Sequence, residues 1–354
     1  MTSPLSNLGL VIPVIAAPMS GGPTTPAMVV AAAHAGGLGF LAAGYKTPDA
    51  IEAEISAVRD ASIPFGVNVF APNSVPVSLE DYREYASALQ READRFGLTL
   101  THDPVENDDY FDAKIDLLVS DPVPIVSFTF GIPGRNVIGA LQTAGTVVVQ
   151  TVTSRQEAEV AAAAGVDMLA VQASAAGGHS ATLTPDRAPK SVSIVDLVTQ
   201  ITGSVQLPVV AAGGMSTPDD VAGVIHAGAE AAMVGTVLMR ADESGTSATH
   251  QAALADPSRT ETVITRAFTG RPARGLRNGF IDTYESRALL GFPAIHHLTS
   301  PLREAAAAAG EPDLVHLWAG TGYRHARREP TATILSRLAG TSIHAGSKVR
   351  SGNV

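Results

Sequence analysis

Eight short, almost wholly apolar runs alternate with helical segments along the first two thirds of the chain, and this alternation limits the fold more than any other property. The runs cover residues 11–17, 38–43, 64–70, 124–129, 146–151, 168–171, 207–212 and 231–234. Strands that are apolar on both faces belong in a parallel sheet covered by helices, and each crossover between parallel neighbours is right-handed. The helix starts are marked. Thr25-Pro26, Thr47-Pro48-Asp49 and Thr217-Pro218-Asp219 each place a capping hydroxyl before a proline at the first helical position. Gly36-Gly37 and Gly165 supply the stops. Eight βα units over roughly 240 residues predict a TIM (β/α)8 barrel, whose usual size is about 250 residues.

The rhythm breaks twice. Residues 72–120 are more charged than their surroundings and read as two helices, and residues 241–310 read as helices and turns without further strands. The expected organisation is therefore a barrel of residues 1–71 and 121–240, with 72–120 and 241–310 packed together as a smaller helical cap. Residues 311–330 are expected to return to the barrel, and 331–354 to form a flexible tail. The chain has 354 residues, and its 33 glycines and long alanine runs suit helices packed tightly on a buried sheet.

Composition excludes several functions. The formal net charge is −10 with no block of like charge, so nucleic acid and anionic membranes are poor partners. Zero cysteines remove thiolate nucleophiles, disulfides and zinc–thiolate sites, and suit a reducing cytoplasm. Residues 1–9 lack the basic start and apolar core of a signal peptide. The uncharged run 28–45 is divided by four glycines into helix, turn and strand, so it reads as core, not as a membrane span.

Chemistry is expected at the carboxyl ends of the strands, where barrels carry their sites. Gly177-Gly178, Gly213-Gly214 and Gly235-Thr236 follow the sixth, seventh and eighth runs. Glycines there let backbone N–H groups approach an anion, which points to a phosphate. His179 follows the first pair and is the candidate general base. Asn68 and Gln150, at the ends of the third and fifth runs, each offer a donor and an acceptor suited to the edge of a flavin or nucleobase. Pro18-Met19 offers apolar surface to a flat ring, and Phe128 and Phe130 are candidate walls. Arg271, Arg274 and Arg277 read as salt-bridge partners between cap and barrel or, in the alternative, as groups that approach an anionic substrate or the phosphate, and Trp318 as a packing anchor. His296-His297 and His316 lack carboxylates at metal-ligand spacing, so no metal site is expected.

The motifs APMSGG, FGVNVFAP, VSFTFGIP, VVQTV, AAGGHS, LPVVAAGGM and MVGTVLMR, with TRAFTGRPARGLRN and LWAGTGYRHA in the tail, resemble those of the nitronate monooxygenases, formerly 2-nitropropane dioxygenases. The resemblance runs over most of the chain and implies an FMN-dependent TIM barrel. It further implies that Ala17, Pro18 and Met19 line the flavin and that Asn68 and Gln150 bond its edge. Gly177, Gly178, Gly213, Gly214, Gly235 and Thr236 would hold its phosphate, and His179 would be the base. The loop departs from the family's usual Gln-Gly-x-Glu-Ala-Gly-Gly-His at Ala173 and Ala175, and Thr321 stands where Gln is common.

The implied reaction is oxidation of an alkyl nitronate, or of a nitroalkane after loss of its α-proton, by O2 to a carbonyl compound and nitrite. Two alternatives stay open: an FMN-dependent NAD(P)H reductase of a quinone or enoyl thioester, and a phosphate-binding barrel without redox chemistry.

Overall fold

A computed structural model of the chain describes residues 4–340. A short helix α1 (Pro4–Asn7) precedes the first strand. Eight parallel strands then close into a barrel: β1 (Val14–Ala16), β2 (Leu38–Ala42), β3 (Gly66–Ala71), β4 (Ile125–Phe130), β5 (Val147–Val152), β6 (Met168–Gln172), β8 (Val209–Ala212) and β9 (Ala231–Val234). A two-residue strand β7 (Gly178–His179) lies outside the barrel. The ring is sealed where β1 pairs with β9 in parallel, Val14 opposite Ala232 and Ala16 opposite Val234.

Six helices between the strands are α2 (Pro26–His34), α3 (Pro48–Arg59), α6 (Arg135–Thr143), α7 (Arg155–Ala164), α8 (Ile194–Thr202) and α9 (Pro218–His226). The Thr-Pro starts form as expected. Thr25, Thr47 and Thr217 accept N–H bonds from Met28, Ala50 and Asp220, and Asp220 completes a capping box. Side chains alternate between two cores along each strand. Ile15, Phe40, Val149 and Ala170 fill the barrel, joined by Leu5 of α1; Val14, Leu41, Val148 and Val171 face the helices.

The insertion after β3 divides in two. Its first helix, α4 (Leu79–Asp94), packs in a separate apolar cluster with α10 (Ala248–Ala255), α11 (Gly279–Tyr284) and α12 (Ala294–Ala309). Its second, α5 (Phe111–Ser120), does not join that cluster. Phe111, Ile115 and Leu118 belong to the main core, so α5 is the helix that follows β3 in the barrel. The expectation of a cap spanning all of 72–120 is corrected there. Charged residues on the outer face of α5 make its sequence look like its neighbour's.

The tail departs from expectation as well. Residues 241–310 hold two strands, β10 (Thr262–Thr265) and β11 (Ala273–Leu276), which form an antiparallel sheet with β7. Farther on, α13 (Thr331–Leu338) is not a flexible extension. Ile334, Leu335 and Leu338 are at most 1% exposed in the main core, and α13 packs on α2 and β1 as the eighth helix of the barrel. The rest of the expected tail, 341–354, lies outside the described residues.

Removing a buried leucine leaves a cavity as well as losing transfer energy. Leu335→Ala is expected to lower unfolding free energy by about 2–5 kcal/mol in urea titration. A loss below about 0.5 kcal/mol, typical of exposed positions, would show that α13 is not docked.

Candidate active site

A cavity of about 550 Å³ opens at the carboxyl ends of the strands and runs up under the cap. Of the residues expected there, Ala17, Pro18, Met19, Asn68, Gly177, Gly178, His179, Gly213, Gly214, Gly235 and Thr236 line it. Gln150 does not. Its Nε2 donates to the carbonyls of Gly131 and Thr151, and it is fully buried. Gln150 pairs in register with Phe128, which lies in the outer core, so both point toward the helices. The assignments of Gln150 to the flavin edge and of Phe128 to the wall are therefore corrected. The inward positions on the same strands, Ser127, Thr129 and Thr151, face the cavity instead.

Asn68 is held in one orientation. The hydroxyls of Ser127 and Thr129 donate to its Oδ1 at 2.9 and 3.0 Å, which leaves the amide NH2 as the group to offer a ligand. The glycine positions form a backbone cradle. Gly213 and Gly214 have φ of 106° and 83°, and a Cβ on Gly177 would sit 2.5 Å from the Gly320 nitrogen. Among the described residues, the N–H groups of Gly214, Gly235 and Thr236 have no protein acceptor. Unpaired N–H groups around a cavity suit a phosphate.

His179 is carried by β7, fixed to β11 opposite Ala273. Gln172 holds the loop from below, donating to the His179 carbonyl at 3.2 Å and accepting from the Ala181 N–H at 2.8 Å. Glu157 of α7 holds its far side through bonds from Thr182 Oγ1 and the Leu183 N–H, both 2.8 Å. The imidazole lies edge-on to Phe130 and Phe292 and beside Trp318, each 5.6 Å between centroids. Phe130 has φ of 81°, an unusual conformation for a bulky residue, which marks a strained position in the wall. Burial, with the charges of Arg271 and Arg303, lowers the pKa of His179 to about 3, so its ring is neutral at ordinary pH.

Among the described residues, none of the three arginines forms a salt bridge between cap and barrel; Arg277 bridges Glu261 and Asp282 at the surface, both within 241–310. Arg271 is fully buried and forms no salt bridge among the described residues. It straps the loop by donating to the carbonyls of Ser180 and Thr182, and stacks 4.1 Å above the Phe130 ring. Arg274 donates to the Ser174 carbonyl at 2.6 Å. Sequence reasoning also missed Arg303, His296, His316 and Tyr45, all of which line the cavity. Helical spacing sets His296 and Arg303 seven apart on α12, about two turns, but nothing in the sequence shows that this face meets the barrel mouth. No cluster of three or more His, Cys, Asp or Glu side chains able to hold a metal occurs among the described residues.

Comparison with known proteins decides the family. The nitronate monooxygenase family model matches residues 2–339. The chain belongs to the nitronate monooxygenase family. Probable nitronate monooxygenases of Staphylococcus aureus, from strains Newman and USA300 among others, are 35% identical over 336 residues, covering 94% of each chain. Among solved structures, nitroalkane oxidase from Streptomyces ansochromogenes superposes with a TM-score of 0.90 at 43% identity, over 96% of this chain and 97% of that one. FabK from Thermotoga maritima shares the fold, with a TM-score of 0.74 at 24% identity over 96% of each chain. The family is one of flavin-dependent oxidoreductases. No helix among the described residues is long and apolar enough to cross a membrane.

His250 bears on acid stability. Burial lowers its pKa to about 4, while its bond to the Trp318 carbonyl acts the other way. The unfolded chain therefore takes up this proton first, below about pH 6.5. The stability it contributes is complete above pH 6.5 and is lost as pH falls toward 4. His250→Gln is expected to flatten the fall in unfolding free energy between pH 6.5 and 4.5 by up to about 1.4 kcal/mol per pH unit. Parallel curves for variant and parent would refute the assignment.

Proposed function

We propose that this chain binds one FMN and oxidises alkyl nitronates with O2 to a carbonyl compound and nitrite. The observation that carries the reading is charge. Arg271 and Arg303 are at most 4% exposed beside the cavity, and neither has a carboxylate within 4.0 Å among the described residues. Buried cations without counter-ions are costly, and an anionic ligand offsets that cost. A nitronate is such an anion; a neutral enoyl or quinone substrate is not. Membership of the family, and the likeness to a nitroalkane oxidase over nearly the whole chain, support the same reading.

The residues present fit FMN. The N–H groups of Gly213, Gly214, Gly235 and Thr236 would take the phosphate, Ala17 to Met19 would line the ring, and the Asn68 amide would donate to its edge. When bound, the flavin supplies the electron acceptor for the nitronate and passes electrons on to O2. The protein's part is to hold the anion, keep water out under the cap and, for a neutral nitroalkane, remove a proton. Thr269 Oγ1 donates to the Arg271 carbonyl at 3.3 Å and stands 2.9 Å from His179 Nε2. That contact orients the ring of His179, the base in this reading. Absence of cysteine suits a cytoplasmic setting.

The cofactor claim is tested by purification. The protein is expected yellow, with about one non-covalent FMN per chain, and anaerobic nitronate is expected to bleach the flavin faster than NADH or NADPH does. A colourless protein that ignores added FMN, or rapid bleaching by NADPH alone, overturns the reading.

His179→Asn separates the two substrate classes. A positioned base contributes about 10²–10⁴-fold, so the variant is expected to keep FMN, lose most nitroalkane activity and hold nitronate activity within about tenfold, or about 1.4 kcal/mol of barrier. Because His179 stays neutral down to about pH 3, parent kcat/KM for a nitroalkane should show no acid limb near pH 6.5 when measured from pH 8 to 5.5. Equal loss on both substrates, or a limb at the ordinary histidine pKa, would remove His179 as the base.

A further inference from the structure

Arg303 reaches two imidazoles at once. Its Nη1 lies 3.1 Å from His316 Nδ1, and its Nη2 lies 3.2 Å from His296 Nδ1. Other bonds hold the guanidinium in place: Nε to Thr299 Oγ1 at 3.0 Å, and Nη2 also to the His296 carbonyl at 3.1 Å. A guanidinium has only donors, so each Nδ1 it touches must be the ring's acceptor. A neutral imidazole that accepts at Nδ1 carries its hydrogen on Nε2. Neither Nε2 has a protein partner among the described residues, and both histidines line the cavity. The face of His296 is fixed independently, since Tyr45 stacks on it at 4.1 Å and 5°. Tyr45 itself is held by its N–H bond to Asp109, which pairs with the buried Lys114.

We infer that Arg303 is a positioning residue that locks His296 and His316 as Nε2–H tautomers, making them a pair of fixed donors for the oxygens of an anionic substrate. Both rings line one cavity, beside a cation with no carboxylate within 4.0 Å among the described residues. Burial and the charge of Arg303 also hold both rings in the neutral form that this donor role requires. A nitronate presents two oxygens on one nitrogen, which matches two donors. In this respect the inference rests on the proposed function, but the tautomers themselves do not.

The test is nitrogen-15 NMR of the holoenzyme labelled at histidine, with His296→Gln and His316→Gln variants to assign the signals. Both rings are expected to carry hydrogen on Nε2 and a bare Nδ1. Titration with sodium nitrate, an inert planar oxyanion, should shift both Nε2–H signals, whereas sodium chloride at equal ionic strength should not. Arg303→Met should release the lock, giving mixed tautomers on at least one ring, and should raise the KM for a nitronate at least tenfold while kcat changes less. Arg303→Lys keeps the charge but not the fork, and should fail to restore both tautomers. Hydrogen on Nδ1 of either ring in the parent protein, or Nε2–H signals that ignore nitrate, would overturn the inference even if Arg303→Met does not fold. Absence of nitronate turnover by the parent, with the expected tautomers and nitrate shifts present, would instead count against the proposed function alone.

Discussion

The barrel closes because β1 pairs on both sides, with β2 and with β9, and every other feature of the site depends on that closure. A closed parallel ring brings all eight carboxyl ends to one rim. Residues as distant in sequence as Met19, Asn68, Gly213 and Gly235 thus come to line one cavity. Closure also gives each strand an inner and an outer face, and the two-residue period leaves no freedom over which side chain takes which. Ser127 and Thr129 face inward and orient Asn68, while Phe128 between them packs against the helices.

Over this rim lies a layer that the barrel alone would not provide. The small sheet of β7, β10 and β11 ties the loop bearing His179 to the cap, and Glu157 ties it to the barrel helix α7. Arg271 crosses between the two, bonding the loop carbonyls while its charge stacks on Phe130. The imidazole is thereby held between a strained aromatic, a tryptophan and two guanidiniums, surroundings that keep it uncharged. A neutral imidazole beside cations that have no carboxylate within 4.0 Å among the described residues suits, in the proposed reading, a substrate that arrives as an anion or becomes one by giving up a proton.

The departures of this chain from the family's usual loop take on a structural sense. Ala175 packs where a Cβ on Gly214 would lie 2.9 Å away, and its carbonyl accepts the Thr321 N–H. Ala173 bonds its N–H to the Ala212 carbonyl, extending the pairing of β6 with β8 by one residue. Both alanines therefore serve the backbone path between the glycine cradle and the C-terminal segment. His179 reaches its place through the bonds of Gln172 and through β11, not through side chains at those two positions.

What the sequence determined by itself was the barrel and the rim at which its cavity opens. Apolar strands, Thr-Pro caps and glycines at strand ends are local signals, each readable within a few residues. Eleven of the twelve expected site residues line the cavity for that reason. Gln150 does not, because a strand end can be read from composition, but its face depends on a parity set by ring closure. Tertiary structure alone decided the fate of the segments outside the rhythm. In sequence α5 looks like α4 and α13 looks like a tail, yet each completes the helix layer where apolar surface would otherwise meet water. The meeting of Arg303 with His296 and His316 was likewise invisible. It joins two turns of one helix to a segment beyond it, and only the packing of α12 over the rim gives those three side chains a common cavity.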